Sequence, residues 1–261
     1  MTDILITGGS DGIGLAAAKL LAARADTRVT LVARNEASLR QAVDQLPGSG
    51  HDFIVADLSQ PDGVDLVARR LGAKHYNVLI NNAGAGFYGR FAELSLDDQL
   101  RMMRLNMESV IVLSHVYLCQ AKAGDALVNT ASFLAYAPLP GAAAYSATKA
   151  FVATLSEALW WEHKERGVYV LGFSPGVTAT RFHGMAGKSV ATFPQVLVQP
   201  PERAARELES ALRRRRSPRV ITGLATRLMI GLLSLVSRRA AINVMGTSSP
   251  IERSHGENAR T

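Results

Sequence analysis

The sequence predicts an α/β fold in which one doubly wound, seven-stranded parallel sheet carries helices on both faces. Short β-type runs alternate with longer helical patterns along most of the 261 residues, which is typical of βαβ units. Several of the runs, such as ILIT and VLIN, are almost wholly apolar, as expected for strands that are covered on both faces. We find no internal repeat and no interdomain linker, so residues 1–261 are expected to form a single domain.

The predicted strands and helices follow one another in regular order. The strands are expected at Ile4–Thr7, Arg28–Ala33, Asp52–Ala56, Asn77–Asn81, Ala126–Thr130, Val168–Phe173 and Arg219–Thr222. Helices are expected near residues 12–25, 36–46, 61–72, 95–121, 143–166 and 201–215. Pro200 and Pro201 mark the start of the last of these helices, because proline is tolerated in a first turn.

The positive charge of the chain is concentrated in its last quarter. The sequence holds 29 Lys and Arg against 22 Asp and Glu, a net charge of +7. Residues 201–261 contain 12 Arg and 5 Glu, which accounts for the whole excess. The balanced remainder argues against a nucleic-acid-binding protein and directs any anionic partner to the C-terminal quarter.

Cysteine use and hydropathy predict a cytoplasmic protein. Cys119 is the single cysteine, which excludes an intramolecular disulfide and a multi-cysteine metal site, and no metal is expected. The start of the sequence, MTDILITGG, has neither the charged nor the long apolar region of a secretory signal. The apolar stretch near the C-terminus is interrupted by Arg227, Arg238 and Arg239 and is too short to span a bilayer.

A glycine-rich turn follows the first strand. It reads Thr7-Gly-Gly-Ser-Asp-Gly-Ile-Gly14 and leads into an Ala-rich helix. Glycines at such a turn let the backbone approach a pyrophosphate, whose charge is favoured by the helix N-terminus. An ordinary strand-to-helix turn that happens to contain four glycines is the alternative.

Arg34 follows the second strand, where the residue type indicates which dinucleotide binds. A carboxylate there would accept hydrogen bonds from the adenosine ribose and favour NAD, whereas a nearby Arg suits the 2′-phosphate of NADP. Ala33 and Arg34 stand at this point, which favours NADP(H). A solvated Arg at a strand end is the alternative.

Tyr145 and Lys149 carry the strongest catalytic pattern in the sequence. Their i, i+4 spacing on the long helix after the fifth strand puts both side chains on one face. A tyrosine of ordinary pKa donates a proton poorly at neutral pH, and a neighbouring cation would favour its phenolate. Ser132, thirteen residues earlier, ends the strand segment LVNTAS, where its hydroxyl could polarise a carbonyl. The plainer alternative is a partly buried Tyr beside a solvated Lys.

Together these motifs resemble the short-chain dehydrogenase/reductase family, over residues 4 to about 222 and in the right order. The resemblance rests on T-G-x-x-x-G-x-G from Thr7, N-N-A-G from Asn81, Y-x-x-x-K from Tyr145 and P-G-x-x-x-T from Pro175. It implies a Rossmann-type fold and a catalytic tetrad of Asn106, Ser132, Tyr145 and Lys149. It also implies a coenzyme site built from Gly8, Ser10, Asp11, Gly12, Ile13, Gly14, Arg34, Asp57, Leu58, Asn82, Ala83, Gly84, Tyr145, Lys149, Pro175, Gly176, Val177, Thr178 and Thr180.

The resemblance assigns roles to several of these residues. Ala33 takes the place of the Asp expected in an NAD enzyme, which implies NADP(H); Asp11 stands where many NADP-dependent relatives carry a second basic residue. Asp57 is expected to hold the adenine edge, and Thr180 a carboxamide or phosphate of the coenzyme. Asn106 is expected to interrupt its helix and hold a water that relays protons from Lys149.

The stretch 181–199 is expected by family analogy to be a lid over the substrate pocket. Its apolar residues, and the aromatic residues after the N-N-A-G turn, favour a largely apolar ketone or secondary alcohol such as a 3-oxoacyl, steroid-like or aromatic compound. The residues concerned are Phe182, Met185, Phe193 and Val196 in the lid and Phe87, Tyr88 and Phe91 after the turn. His183 and Lys188 could bind an anion, although a mobile loop needs solvated charges in any case.

The segment 223–246 is apolar and basic, and three interpretations remain open. Leu228, Leu232, Leu235 and Val236 fall on one helical face, which Ile230 and Leu233 broaden. The segment could pack in the core or a dimer, lie on a membrane surface, or cap an acyl-chain channel. Residues 247–261 are expected to form a flexible tail. A homodimer or homotetramer is implied by the family. The rivals to an NADP(H)-dependent reductase are an NAD-linked alcohol dehydrogenase and a non-catalytic, membrane-docked nucleotide-binding protein.

Overall fold

The sheet contains the seven predicted strands, all parallel. A computed structural model describes residues 1–182, 194–249 and 251. The strands are β1 (Thr2–Thr7), β2 (Thr27–Ala33), β3 (Asp52–Val55), β4 (Val78–Asn81), β5 (Ala126–Thr130), β6 (Tyr169–Ser174) and β7 (Arg219–Ile221). They pair in the order β3-β2-β1-β4-β5-β6-β7. The predicted doubly wound α/β fold is therefore confirmed.

The helices lie close to their predicted positions, with two corrections. Their bounds are α1 (Gly12–Ala22), α2 (Glu36–Asp44), α3 (Pro61–Ala73), α4 (Leu96–Met103), α5 (Ser109–Gln120), α6 (Ala143–His163), α7 (Pro201–Arg214), α8 (Leu224–Leu233) and α9 (Arg238–Thr247). The helix predicted at 95–121 is not continuous, because a π-helix at Arg104–Glu108 separates α4 from α5. The segment 223–246 contains two helices, α8 and α9, where the sequence analysis describes one helical segment.

Helices cover both faces of the sheet because successive strand residues point to opposite sides. Ile4 and Ile6 of β1 face one core, where residues of α1, α2 and α7 pack against them. Leu5 of the same strand faces a second core, which is filled largely from α3 and α5. The near-continuous apolar strands of the sequence analysis therefore meet apolar helices on each side, as a parallel sheet requires.

The strand order reverses between β1 and β4, and this point defines where a ligand can bind. From β1 the chain first builds outward through β2 and β3, and then returns to place β4 on the other side of β1. The helices that leave these two strands diverge, so a crevice opens at the carboxyl ends of β1 and β4. None of the helices in the described part of the chain is long and apolar enough to cross a membrane.

Candidate active site

A cavity of about 790 Å³ opens at the carboxyl ends of the strands. Almost all of the residues that the sequence analysis singled out line it. They are Gly8, Ser10, Asp11, Gly12, Ile13, Arg34, Asp57, Leu58, Asn82, Ala83, Gly84, Ser132, Tyr145, Lys149, Pro175, Gly176, Val177, Thr178 and Thr180. Gly14 and Asn106 do not line the cavity; both lie behind its wall, where they shape it.

The glycine-rich turn has no room for side chains. Gly8 has φ +65° and Gly12 has φ +55°, which is the left-handed region that favours glycine. A Cβ on Gly14 would lie 2.2 Å from the carbonyl oxygen of Gly8, so this position holds the turn against the first turn of α1. A Cβ on Gly12 would approach the Thr180 side chain at 3.0 Å. At its glycine positions the turn therefore brings backbone without side-chain bulk to the floor of the cavity.

Asp11 stands at the N-cap position of α1 but does not cap it. Its side chain accepts no hydrogen bond from the helix backbone, although aspartate is among the preferred capping residues. Instead Asp11 Oδ2 accepts a hydrogen bond of 2.6 Å from Nε of Arg181, at the far side of the cavity mouth. Asp11 thus pairs with Arg181 instead of capping α1, and the first amides of this helix remain available to a ligand. Sequence reasoning missed Arg181, because 170 residues separate the partners.

Thr7 ties the two strands together at the point where the sheet reverses. Its buried hydroxyl accepts hydrogen bonds from the backbone N–H of Asn82 (2.9 Å) and of Ala83 (3.0 Å). The amide of Asn82 in turn donates to the carbonyls of Thr7 (3.1 Å) and Gly8 (3.2 Å). Asn82 therefore holds the glycine-rich turn in place from the neighbouring strand. The sequence analysis named Asn82 as a site residue. It did not name Thr7, whose hydroxyl holds the backbone of Asn82 and Ala83 in place.

Arg34 and Asp57 lie on the wall of the cavity beyond the glycine-rich turn. Arg34 is exposed, and it makes no hydrogen bond or ion pair with any residue that the structure describes. Oδ1 of Asp57 accepts hydrogen bonds from the backbone N–H and the hydroxyl of Ser59, and its Oδ2 has no partner in the described ranges. One guanidinium and one carboxylate oxygen are thus free on this wall.

Ser132, Tyr145 and Lys149 meet at the other end of the cavity. β5 ends at Thr130, so Ser132 lies two residues beyond the strand and not at its end. Its hydroxyl accepts a 3.2 Å hydrogen bond from the N–H of Leu134, which fixes the side chain at the start of a short 3₁₀ turn. Lys149 Nζ donates to the carbonyl of Thr130 (2.8 Å) and lies 5.9 Å from the centre of the Tyr145 ring.

Burial sets the pKa values of this group. It raises the pKa of Tyr145, and the nearby phenol of Tyr88 raises it further, while a hydrogen bond with Ser132 lowers it. Burial also lowers the pKa of Lys149 to about 8, because a charged amine is disfavoured away from water. Desolvation therefore outweighs the expected lowering of the Tyr145 pKa by Lys149.

The depressed pKa of Lys149 makes a testable contribution to stability. Between pH 8 and 9.5 the unfolded chain keeps the Lys149 proton while the folded chain loses it, so the free energy of unfolding rises with pH. We expect a rise of about 1.5 kcal/mol over this interval in coenzyme-free protein, relative to the variant Lys149→Met. Urea titrations at each pH measure it. Parallel pH profiles for the two proteins would contradict the shift.

Asn106 lies fully buried within the π-helix. Its Oδ1 accepts from the N–H of Ala85 (3.0 Å), and its Nδ2 donates to the carbonyl of Ala85 (2.9 Å) and to Thr148 Oγ1 (3.0 Å). Asn106 is therefore a buried residue with a partner for each end of its amide, and not a solvent-exposed one. A Cβ on Gly84 would lie 3.3 Å from both Asn106 Oδ1 and Lys149 Nζ, so the glycine leaves open the space between these two polar groups.

The segment after β6 forms the roof of the cavity. Thr178 pairs with Gln199 through an isolated parallel bridge, and its hydroxyl donates to the carbonyl of Gly176 (2.9 Å). The N–H of Gly176 in turn donates to Thr222 Oγ1 (3.1 Å). Gln199 and Thr222 were not named as site residues in the sequence analysis. They support the roof from outside the cavity. Because they follow separate elements of the chain, no local sequence pattern relates them to the site.

An apolar cluster surrounds the end of the cavity that contains Tyr145. The ring of Phe182 stacks obliquely on Tyr145, with centroids 5.6 Å apart. The cluster adds Phe87 and Tyr88 after β4, Phe133 and Leu134 after β5, and Met229, Ile230, Leu233 and Met245 from α8 and α9. Of the apolar residues predicted at the lid, Val196 is exposed, while Met185 and Phe193 lie outside the described residues, as do His183 and Lys188. Phe91, predicted in the wall, is 62% exposed and does not line the cavity.

Of the apolar helical face predicted in the C-terminal segment, only the two residues that broaden it, Ile230 and Leu233, pack inward. Met229, Ile230 and Leu233 join the apolar cluster around Tyr145, whereas Leu228, Leu232, Leu235 and Val236 are exposed. Apolar residues occur on nearly all sides of α8, so periodicity in the sequence does not distinguish the inner face from the outer one.

Comparison with known proteins identifies the family. The family model described as short chain dehydrogenase matches residues 2–190. The protein belongs to the short-chain dehydrogenase/reductase family. This family consists of NAD(P)-dependent oxidoreductases acting on CH–OH and C=O groups. The resemblance inferred from the glycine-rich turn and the Tyr145–Lys149 pair is thereby confirmed.

Two curated relatives align with this chain over about two thirds of its length. Very-long-chain 3-oxoacyl-CoA reductase of Mus musculus is 31% identical over 186 residues, which are 68% of this chain and 59% of that protein. Inactive hydroxysteroid dehydrogenase-like protein 1 of Homo sapiens is 33% identical, over 67% of this chain and 56% of that protein. This chain thus spans less than two thirds of the length of these relatives.

Two solved structures align over nearly their full length. A short-chain dehydrogenase from Sphingobium yanoikuyae in complex with NADPH has a TM-score of 0.80 and 30% identity, and covers 91% of this chain and 96% of that one. The bulky-bulky ketone specific alcohol dehydrogenase from Comamonas testosteroni has a TM-score of 0.75 and 27% identity, over 91% and 95% of the two chains.

Proposed function

We propose that this dehydrogenase is an NADP(H)-dependent ketone reductase, or secondary-alcohol dehydrogenase, for a largely apolar substrate. The observation that carries the proposal is the meeting of Ser132, Tyr145 and Lys149 in the same cavity as the glycine-rich turn. The part expected to bind the coenzyme and the part expected to bind the substrate oxygen therefore share one cavity.

Tyr145 and Ser132 act on the substrate oxygen. When bound, NADP(H) supplies or accepts the hydride at the carbonyl carbon. Ser132, whose hydroxyl is oriented by Leu134, holds the carbonyl oxygen. Tyr145 donates its proton to this oxygen in reduction and accepts it in oxidation, as a positioned general acid and base. Burial keeps the phenol of Tyr145 protonated, and a charge on the adjacent Lys149 would favour proton donation by stabilising the phenolate.

Lys149 supplies the next proton, and Asn106 helps to position its path. Lys149, with a pKa of about 8, exchanges protons near neutral pH without a large cost, so it can reprotonate Tyr145. The space between Lys149 and Asn106, which Gly84 leaves open, is a suitable position for a relaying water. Asn106 is thus a positioning residue, held through Ala85 and Thr148.

The coenzyme fits the residues present at the other end. The crowded glycines would accept a pyrophosphate close to the backbone, and the uncapped first turn of α1 offers it amide donors. Asp57 Oδ2 is free for the adenine amino group, with Leu58 beside it. Asn82, Ala83 and Gly84 would lie along the adenosine side, and Pro175, Gly176, Val177, Thr178 and Thr180 along the nicotinamide.

Arg34 supports a preference for NADP(H) over NAD(H). Its guanidinium is exposed, has no partner in the described ranges and lines the cavity, so it is available to a 2′-phosphate. Arg181 neutralises Asp11, the acidic residue that would otherwise face the phosphates without compensation. The NADPH complex of the Sphingobium relative favours the same coenzyme. An NAD-linked alcohol dehydrogenase is the alternative.

The substrate is expected to be apolar and large. The wall around Tyr145 consists of aromatic and aliphatic side chains from four separate parts of the chain. The names of the mouse 3-oxoacyl-CoA reductase and of the Comamonas alcohol dehydrogenase for bulky ketones point to the same substrate classes. We therefore propose a 3-oxoacyl, steroid-like or aromatic ketone.

Several wider features of the protein remain proposals of the same kind. We propose one domain over residues 1–261, with 181–199 as its substrate lid, in a cytoplasmic homodimer or homotetramer. The apolar face of α6, close to the exposed Trp161, and the helices α4 and α5 are the surfaces through which subunits would pair. We also propose peripheral contact with a membrane through α8 and α9.

A ketone screen tests the proposed activity. Purified protein is offered acyl, steroid and aromatic ketones with NADPH or NADH, and coenzyme oxidation is followed at 340 nm, the absorbance of reduced nicotinamide. We expect turnover of at least one apolar class, faster with NADPH. The name of the human relative marks that protein as inactive. Complete inertness with both coenzymes, while NADPH still binds, would favour a non-catalytic nucleotide-binding protein instead.

A further inference from the structure

The outer face of α8 carries a leucine stripe. We define it as Leu224, Leu228 and Leu232 of this helix and Leu235 just beyond its end; they recur at helical spacing and are 60–82% exposed. Seven of the large apolar side chains exposed in the described chain fall within residues 224–244: the stripe, Val236, Ile242 and Val244. Scattered surface leucines are ordinary, but a contiguous row of this kind marks an interaction site.

The stripe is not needed to build the catalytic cavity. Met229, Ile230 and Leu233, on the opposite side of α8, already fill the apolar cluster that contains Tyr145. Thr226, also buried, packs near the roof at Gly176. Core packing therefore explains one face of the helix and leaves the leucine stripe without a role.

The positive charge around the stripe indicates an anionic partner. No Asp or Glu occurs between residues 210 and 251, whereas eight Arg do. Arg227 is occupied by Glu207 and the carbonyl of Ile221. Arg238 and Arg239, which follow the stripe at the start of α9, are exposed and have no hydrogen bond or ion pair within the described ranges. Two free cations thus adjoin an apolar row.

We propose that the leucine stripe, with Arg238 and Arg239, docks this protein on an anionic lipid surface. An apolar helical face flanked by arginines is the pattern of a helix that lies in the membrane interface, and anionic headgroups attract basic residues at the surface. The proposal goes beyond the reductase function and does not depend on it, because docking through these residues requires neither coenzyme nor ketone.

A second copy of this chain fits the stripe less well. Five side chains, counting Val236, are far fewer than the roughly 20 to 30 residues per side of a stable interface. A symmetric pairing would also bring the arginines of one copy toward those of the other, with no acidic residue between 210 and 251 to compensate them. A lipid surface neutralises this charge, whereas self-association concentrates it.

Vesicle sedimentation of the full-length protein tests the proposal. The probes are vesicles of phosphatidylcholine alone and of phosphatidylcholine with 30% phosphatidylserine. We expect binding to the anionic vesicles that weakens as NaCl is raised, and little binding to the neutral ones. We expect Leu228→Gln/Leu232→Gln and Arg238→Gln/Arg239→Gln each to weaken binding at least about tenfold.

A matched double variant guards against a general loss of apolar surface. Leu66→Gln/Leu96→Gln removes two exposed leucines on other helices, which are 41% and 66% exposed, and should bind vesicles like the parent protein. Thermal unfolding of each variant verifies that it folds. Equal binding by the parent and the stripe variant, or no binding by the parent, would overturn the proposal. So would a change of the stripe variant from dimer to monomer in sedimentation equilibrium without vesicle binding by the parent, because that outcome assigns the stripe to a second copy.

Discussion

Replacing Tyr145 by phenylalanine is expected to lower NADPH-dependent ketone reduction by about a thousandfold or more, with coenzyme affinity unchanged. The substitution removes one oxygen and keeps the ring that packs on Phe182, so the wall of the cavity is preserved. Proton transfer from a positioned group contributes about 10² to 10⁴ in rate, and the polarisation of the substrate oxygen is weakened as well. Steady-state rates on a ketone found in the screen, together with NADPH titration by fluorescence, measure the two effects separately.

Tyr136→Phe is the matched control for this experiment. Tyr136 is also largely buried, and its hydroxyl accepts a long hydrogen bond from Ser174 (3.4 Å) and interacts with Arg219, but it does not line the cavity. Its variant should retain most of the activity. Retained turnover in Tyr145→Phe would remove Tyr145 as the proton donor and with it the proposed mechanism. Loss of NADPH binding in that variant would instead indicate a disturbed fold.

Replacing Arg34 by alanine is expected to weaken NADPH binding about 10- to 100-fold and to leave NADH binding unchanged. Arg34 is free of partners among the described residues, so its guanidinium does not have to leave another contact to meet a 2′-phosphate. Charge-assisted hydrogen bonds contribute about 1.5 to 3 kcal/mol, which corresponds to this range of dissociation constants. Because NADH lacks the phosphate, it reports any general damage to the site.

Arg40→Ala is the control for the charge itself. Arg40 is an exposed arginine on the adjacent helix, paired with Glu36 and absent from the cavity lining. Its loss lowers the net charge by the same amount as the loss of Arg34, so equal weakening in both variants would mean a diffuse electrostatic effect. Equal affinity of the parent protein for NADPH and NADH, unchanged in Arg34→Ala, would contradict the coenzyme preference.

The sequence was informative wherever a short-range pattern determines structure. Near-continuous apolar runs locate every strand to within two residues at each end, and the order of strands and helices determines the direction of the sheet. The glycine-rich turn could be predicted because the crowding at Gly14 and the positive φ of Gly8 and Gly12 tolerate only glycine without strain.

Features that depend on distant contacts could not be predicted. The pairing of Asp11 with Arg181 and the support of Asn82 by Thr7 join parts of the chain that no local pattern relates. The inner face of α8 is also decided by what it meets: apolar side chains point in most directions, and only the position of the cavity selects Met229, Ile230 and Leu233. Burial of Tyr145 and Lys149 also depends on distant contacts. It raises the pKa of Tyr145, which was expected to be lowered, and it lowers the pKa of Lys149.

The π-helix at Arg104–Glu108 has a consequence for the phase of the helices that it joins. One extra residue in a helical turn rotates everything after it by about 100° relative to everything before it. Met102, before the insertion, faces the apolar cluster at the catalytic cavity, whereas Leu113 and Tyr117, after it, face the core beneath the sheet. A regular helix could not satisfy both cores at once. The same inserted residue that brings the Asn106 amide to the site therefore also turns the later part of the helix toward a different packing surface.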